Sequence, residues 1–182
     1  MSFQLITGQT EWAVELPEVK KHLREDGTAD DAYIQELIYS VQDQIKGDYG
    51  LYLNEETYDL LLDDFPEQIL LWLSPISSIT SVKYTDDDSA TQTVTSTNYS
   101  TDLFSVPARI APVDGYSWPI PRDTLNAVQV RFVTGYTSPA VIPADIKQAI
   151  YLIINDRWDN REDKGRRFPR ISELILNKYK YI

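Results

Sequence analysis

Pro143-Ala144-Asp145-Ile146-Lys147-Gln148-Ala149-Ile150-Tyr151-Leu152-Ile153-Ile154-Asn155-Asp156-Arg157-Trp158 opens with the two residue types that suit a helix start. Ile146, Ala149, Ile150, Ile153 and Trp158 then recur at helical spacing. Tyr151, Leu152 and Ile154 widen the apolar surface to nearly the whole circumference. A helix apolar all round needs a partner on every side, so the pattern predicts either a wrapped central helix or one completed by another subunit. Ile146, Ile150, Ile153, Ile154 and Trp158 are the residues expected to pack between subunits. Eight residues upstream the period is different. Across Ala127–Thr134, Val128, Val130 and Phe132 alternate with Gln129 and Arg131, and Gly135 follows, which is the signature of a half-buried strand.

Further upstream the chain continues in the period-two register. Tyr58, Leu60 and Leu62 lie on one face of a strand with Asp59 and Asp63 on the other. Gln68–Leu73 is a short apolar run, and Ile79–Thr85 is β-rich and stops at Asp86-Asp87-Asp88-Ser89, a hairpin tip. Thr91–Thr97 reads as an exposed strand or loop, and four prolines make 105–121 irregular. Before residue 57 the pattern is helical. Leu16-Pro17-Glu18 opens a short helix; Thr28 caps a second, in which Ile34, Ile38, Val41 and Ile45 form the stripe and Gly47 is the expected end. Downstream, a charged linker from Asn160 to Arg167 leads to a last helix that Pro169 opens. The fold class is therefore α+β: a helical bundle, made of an N-terminal helical hairpin and two C-terminal helices, with an inserted antiparallel β module. The expected segments are 1–56, 57–135, 136–165 and 166–182.

The 182 residues include no Cys, one His and one Met. That excludes a disulfide scaffold, a thiol nucleophile and thiolate zinc sites. No phosphate-cradling glycine loop, zinc-protease pair or nucleophile elbow is present. His22 sits among Lys20, Lys21 and Arg24 and reads as surface. Asp86–Asp88 lacks the alternate spacing, glycine and distal Glu of a calcium loop, and Asp63-Asp64 has no marked carboxylate partner. No catalytic residue, metal site or cofactor is expected. No apolar run approaches the roughly 18 residues of a bilayer span, and Met1–Leu5 lacks a basic leader, so a soluble chain without membrane contact is expected. Charge is uneven: residues 1–100 hold 19 acids and 5 bases, residues 101–182 hold 9 acids and 12 bases. Arg157, Arg161, Arg166, Arg167 and Arg170 interleave with Trp158 and Phe168, but the acidic body opposes nucleic acid, and contact of this basic tail with an acidic protein surface fits the polarity better.

Several runs, taken in order, resemble the head–tail connector (adaptor) proteins of long-tailed bacteriophages. They are Leu16-Pro17-Glu18-Val19-Lys20-Lys21-His22-Leu23-Arg24, Asp30-Asp31-Ala32-Tyr33-Ile34, Ser74–Tyr84, Val128–Tyr136 and Ile142–Ile150, the last running on to Arg157-Trp158-Asp159-Asn160-Arg161-Glu162. The resemblance implies a structural virion protein, assembled in the bacterial host cytoplasm. It would form a ring, usually dodecameric, beneath the portal and join the DNA-filled head to neck or tail-completion proteins. Genomic DNA would pass through without sequence-specific binding. It also implies that the C-terminal segment docks on the portal. Arg166, Arg167 and Arg170 are expected to steer and Phe168, Ile171, Leu174, Ile175 and Tyr179 to bury, the tail ordering only on docking; the competing account is that the stripe packs on the subunit's own bundle. The alternatives are a neck stopper or tail-completion protein, or an acidic soluble protein unrelated to virions.

Overall fold

The computed structural model describes residues 1–161 and 168–180. Elements follow in the order β1 (Ser2–Thr7), α1 (Leu16–Leu23), α2 (Asp31–Tyr49), β2 (Glu56–Leu62), β3 (Ile69–Leu71), β4 (Ile76–Thr85), β5 (Thr91–Val94), β6 (Tyr99–Asp102), β7 (Ala108–Pro112), β8 (Val128–Thr134), α3 (Ala144–Asp159) and α4 (Arg170–Leu176). The fold is α+β. It divides into two compact units, Met1–Gln9 with Glu55–Gly135, and Thr10–Asn54 with Tyr136–Ile182.

The first unit is β. Five antiparallel strands run in the order β1-β2-β8-β4-β5, and three more form a sheet β3-β7-β6. The alternation in β8 does what its period dictates: Val128, Val130, Phe132 and Thr134 are buried, with the residues between them half-exposed. Tyr58 and Leu60 face Phe132 and Val130 across the β2–β8 ladder. Phe65 stacks on Trp118 at 4.8 Å and meets Tyr84 edge-on, while Trp118 also reaches Tyr99, so aromatic rings tie β4 to β6.

Three sequence expectations change here. Residues 2–7, grouped with the helical part, are a strand paired to β2; their burial is confined to Phe3, which leaves no alternation to read. Residues 108–112, expected to be irregular, form β7, because the prolines stand before it and at its last position while Ala108 and Ile110 are buried. Asp59, expected on a polar face, is 1% exposed. It lies directly across from Arg131, accepts its Nε and Nη2 donors at 2.8 Å each and takes Gln129 Nε2 at 2.6 Å. The guanidinium is held protonated above its ordinary range by that carboxylate.

The second unit is a bundle in which α1, α2 and α4 all pack on α3. Glu18 accepts the Glu15 N–H at the head of α1. α2 runs through Gly47 to Tyr49 and ends at Gly50, whose φ of 63° lies in the left-handed region that favours glycine. Tyr49 extends the Ile45 stripe by one turn and is itself buried, which is why Gly47 does not stop the helix. Asp30, not Thr28, precedes the first turn of α2. Gln42 is buried and binds the incoming segment: Ala13 N–H donates to its Oε1 at 2.8 Å, while its Nε2 donates to Ile38 O.

Candidate interaction surfaces

α3 is central to the bundle, and that settles the fate of its apolar circumference. Ile146, Ile150 and Ile154 are 0% exposed and Ile153 is 1% exposed within a single chain. Their side chains pack on Ile34, Ile38, Val41 and Leu176 in one core. They are not available to a second subunit: of the two arrangements expected, the wrapped central helix is the one formed, and the assignment of these residues to packing between subunits is corrected. The all-round hydrophobicity is absorbed because three helices of the same chain surround α3. Trp158 is the exception. It is half-buried at the bundle's edge, 6.0 Å from the Tyr33 ring, with the Arg161 guanidinium 4.4 Å above it. Arg161 also covers Tyr33 at 4.8 Å and reaches Asp30 at 3.4 Å. Arg157, half-buried, donates to Ser40 Oγ and to Gln44 Oε1, so the arginines at the C-terminal end of α3 hold α2. Burial draws the Arg157 guanidinium below its ordinary pKa.

The C-terminal helix is a folded part of this bundle. Arg166 and Arg167 lie outside the described residues. Phe168 is buried, stacked on Tyr49 at 6.0 Å with the Arg157 guanidinium above it. Ser172 and Leu176 are 0% exposed, and Ser172 Oγ donates to Ala149 O at 3.2 Å. Ile175 and Tyr179 pack against the core, and Tyr179 Oη donates to Asp145 Oδ1 at 2.8 Å. The expected single stripe of Ile171, Leu174, Ile175 and Tyr179 is therefore split between two faces. Ile171 and Leu174 point outward, 62% and 59% exposed, beside the exposed Arg170. The expectation that the tail stays loose without a partner does not hold for 168–180. Phe168 and Leu176 anchor the helix, and the small Ser172 lets it approach α3 closely.

The remaining candidates have structural roles. Asp86 anchors the β4–β5 hairpin tip, accepting Ala90 N–H at 2.9 Å and Gln92 Nε2 at 2.7 Å, and these donors lower its pKa. Asp63 accepts Asn126 N–H at 2.8 Å. His22 is exposed and stacks on Tyr151 at 5.1 Å. Among the described residues no cluster of three His, Cys, Asp or Glu side chains could hold a metal, and no helix is long and apolar enough to cross a membrane. Charge sorts by unit. The β unit carries 12 acids and 4 bases, the helical unit 16 and 13. Acids and bases nearly balance in the helical unit, so the net negative charge resides mainly in the β unit.

A family model described as "Phage gp6-like head-tail connector protein" matches residues 13–112, from the approach to α1 through β7. Among solved structures, a chain of the "Virion of native gene transfer agent (GTA) particle" superposes with a TM-score of 0.81 at 20% identity, over 100% of this chain and 96% of that one. A chain of the "Neck of empty GTA particle computed with C6 symmetry" gives 0.82 at 20% identity with the same coverage. A third, from the "Neck of native GTA particle computed with C12 symmetry", gives 0.75 at 19% identity, again over 100% and 96%. At these identities the likeness is one of fold. No curated protein matches the chain.

Proposed function

The chain belongs to the phage gp6-like head-tail connector family, and on that premise we propose that it sits at the head–tail interface of a virion as a ring beneath the portal, its tail side receiving neck or tail-completion proteins. The role is structural and not catalytic. The neck assemblies that share its fold were computed with sixfold and twelvefold symmetry, which supports a dodecameric ring for this chain as well. An excess of 8 acids over bases on the β unit disfavours phosphate contacts, so DNA passes without sequence-specific binding.

The observation that supports the portal contact is the outer face of α4. The helix is anchored by Phe168, Ser172 and Leu176, yet it presents Ile171 and Leu174 to solvent next to Arg170. Two adjacent apolar side chains on a fixed helix, flanked by cations, are the elements of a helix-in-groove contact with an acidic rim. The docking surface is thus Arg170, Ile171 and Leu174, while Phe168, Ile175 and Tyr179 hold the helix in place. Replacing Ile171 and Leu174 together by Asp is expected to shift unfolding stability by about 0.5 kcal/mol or less per site, the scale of surface changes. The same variant should lose binding to DNA-filled, tail-less heads. Unchanged head binding by this variant, folded and at wild-type concentration, contradicts the assignment.

A further inference from the structure

Among the described residues the five-stranded sheet ends in two edges without a further strand, β1 and β5, and neither is defended. Residues 1–10 contain no charged side chain and no proline, and Ser89–Thr101 contains none either, in a chain that is 25% charged. Natural sheets blunt exposed edges with lysine, proline or inward charges, since a free row of N–H and C=O groups is a template for another strand. β1 is unusual in a second way. Only Phe3 is even half-buried, against Phe132 at 6.2 Å, and Leu5 and Ile6 are 50% and 39% exposed. The strand therefore has two largely bare faces as well as a bare edge. β5 is similar, with Thr91, Gln92 and Thr93 exposed.

The two edges fit each other. Every neighbouring pair in the sheet is antiparallel, so across five strands β1 and β5 run in the same direction. Pairing between β1 and β2 is regular from Ser2 to Leu5 and is interrupted before Thr7, which leaves a four-residue edge; Thr91–Val94 also offers four residues. We propose that β1 of one copy adds, in parallel, to the open edge of β5 in the next, so that the sheet continues from subunit to subunit. This contact uses two different patches, repeats head to tail and closes into a ring by rotation. Pairing of β1 with a second β1 is antiparallel, obeys a twofold axis and stops at a dimer. The inference rests on the ring proposed above and names the surface that builds it. β1 lies outside the stretch that the family model matches.

The lack of cysteine makes the test direct. Gln4→Cys is combined in turn with Thr91→Cys, Gln92→Cys or Thr93→Cys in the full chain, at high concentration and on portal-bound particles, and treated with a short bismaleimide. A ladder of covalent oligomers from at least one double variant, with monomer from each single variant, is the expected result. Dimers from Gln4→Cys alone overturn it in favour of a β1–β1 contact. Rings seen by electron microscopy that give no ladder in any of the three registers overturn the edge contact and leave the ring reading standing. If no ring forms under either condition, the ring reading fails and the edge contact with it. Leu5→Lys, at an exposed position, provides an independent check. It should keep the far-ultraviolet circular dichroism of the wild type and lower ring yield at least tenfold; undiminished yield overturns the proposal.

Discussion

Asp102 closes β6 and accepts Arg109 Nη2 at 2.6 Å together with the Ser105 and Phe104 N–H groups at 3.1 and 3.2 Å. Arg109 first, and the Ser105 backbone next, lower its carboxyl pKa from 3.8 to about 2. A carboxyl depressed in the folded state contributes stability above its unfolded pKa. That contribution is lost as pH falls through the window between 3.8 and about 2. Both side chains are substantially exposed, so the contribution is small and screened by salt. A carbon-detected NMR titration should place the Asp102 midpoint at about 2, and Arg109→Met should move it up toward 3.8. A wild-type midpoint near 3.8 contradicts the pairing. Asp59 makes a different point about reading residues from sequence. The period-two pattern located its strand, but an acid at a polar position says nothing about which cation faces it. Only the register that sets Asp59 opposite Arg131 turns the polar face of β2 into a paired, covered one.

α4 is the element on which the structure most changes the sequence reading. Its apolar residues fit a single stripe in sequence, which leaves open whether the whole stripe docks on a partner or packs on the subunit's own bundle. In the fold, Phe168 and Leu176 rotate the helix so that Ile175 and Tyr179 turn inward and Ile171 and Leu174 outward. Deleting residues 169–182 therefore removes a fully buried Leu176 and the Ser172 contact with α3, and it should destabilise the bundle. Leu176→Ala alone is expected to cost about 2–5 kcal/mol, the range for a buried leucine, measured by urea unfolding. A truncated chain with wild-type stability contradicts the packing. Elements with strong periodicity were legible from sequence: α2 and α3 from their apolar spacing, β8 from strict alternation. The rest were not, for physical reasons. β1 buries one side chain and so carries no pattern, β6 is Tyr-Ser-Thr-Asp with no apolar run, and β7 is framed by prolines that read as irregular chain. The undefended edges were visible as an absence of charge, but that becomes a signal only once the strands are known to be terminal in the sheet.

At the scale of the molecule, the helical unit supplies a self-contained core and the β unit supplies most of the net charge. In sequence, the surplus hydrophobicity of α3 is compatible with wrapping by its own bundle or with completion by another subunit, and the ring is implied by the family resemblance. The structure spends that surplus internally, and the surfaces proposed above for assembly are accordingly exposed ones: the sheet edges for copy-to-copy contact and the outer face of α4 for the portal. The most direct measurement is electron microscopy of DNA-filled, tail-less heads incubated with the full chain. The expected result is a ring of additional density on the tail side of the portal, with the α4 face turned toward the portal and absent when Ile171 and Leu174 are both Asp. Density confined to isolated tails, or heads left bare by folded wild-type protein, would contradict the account.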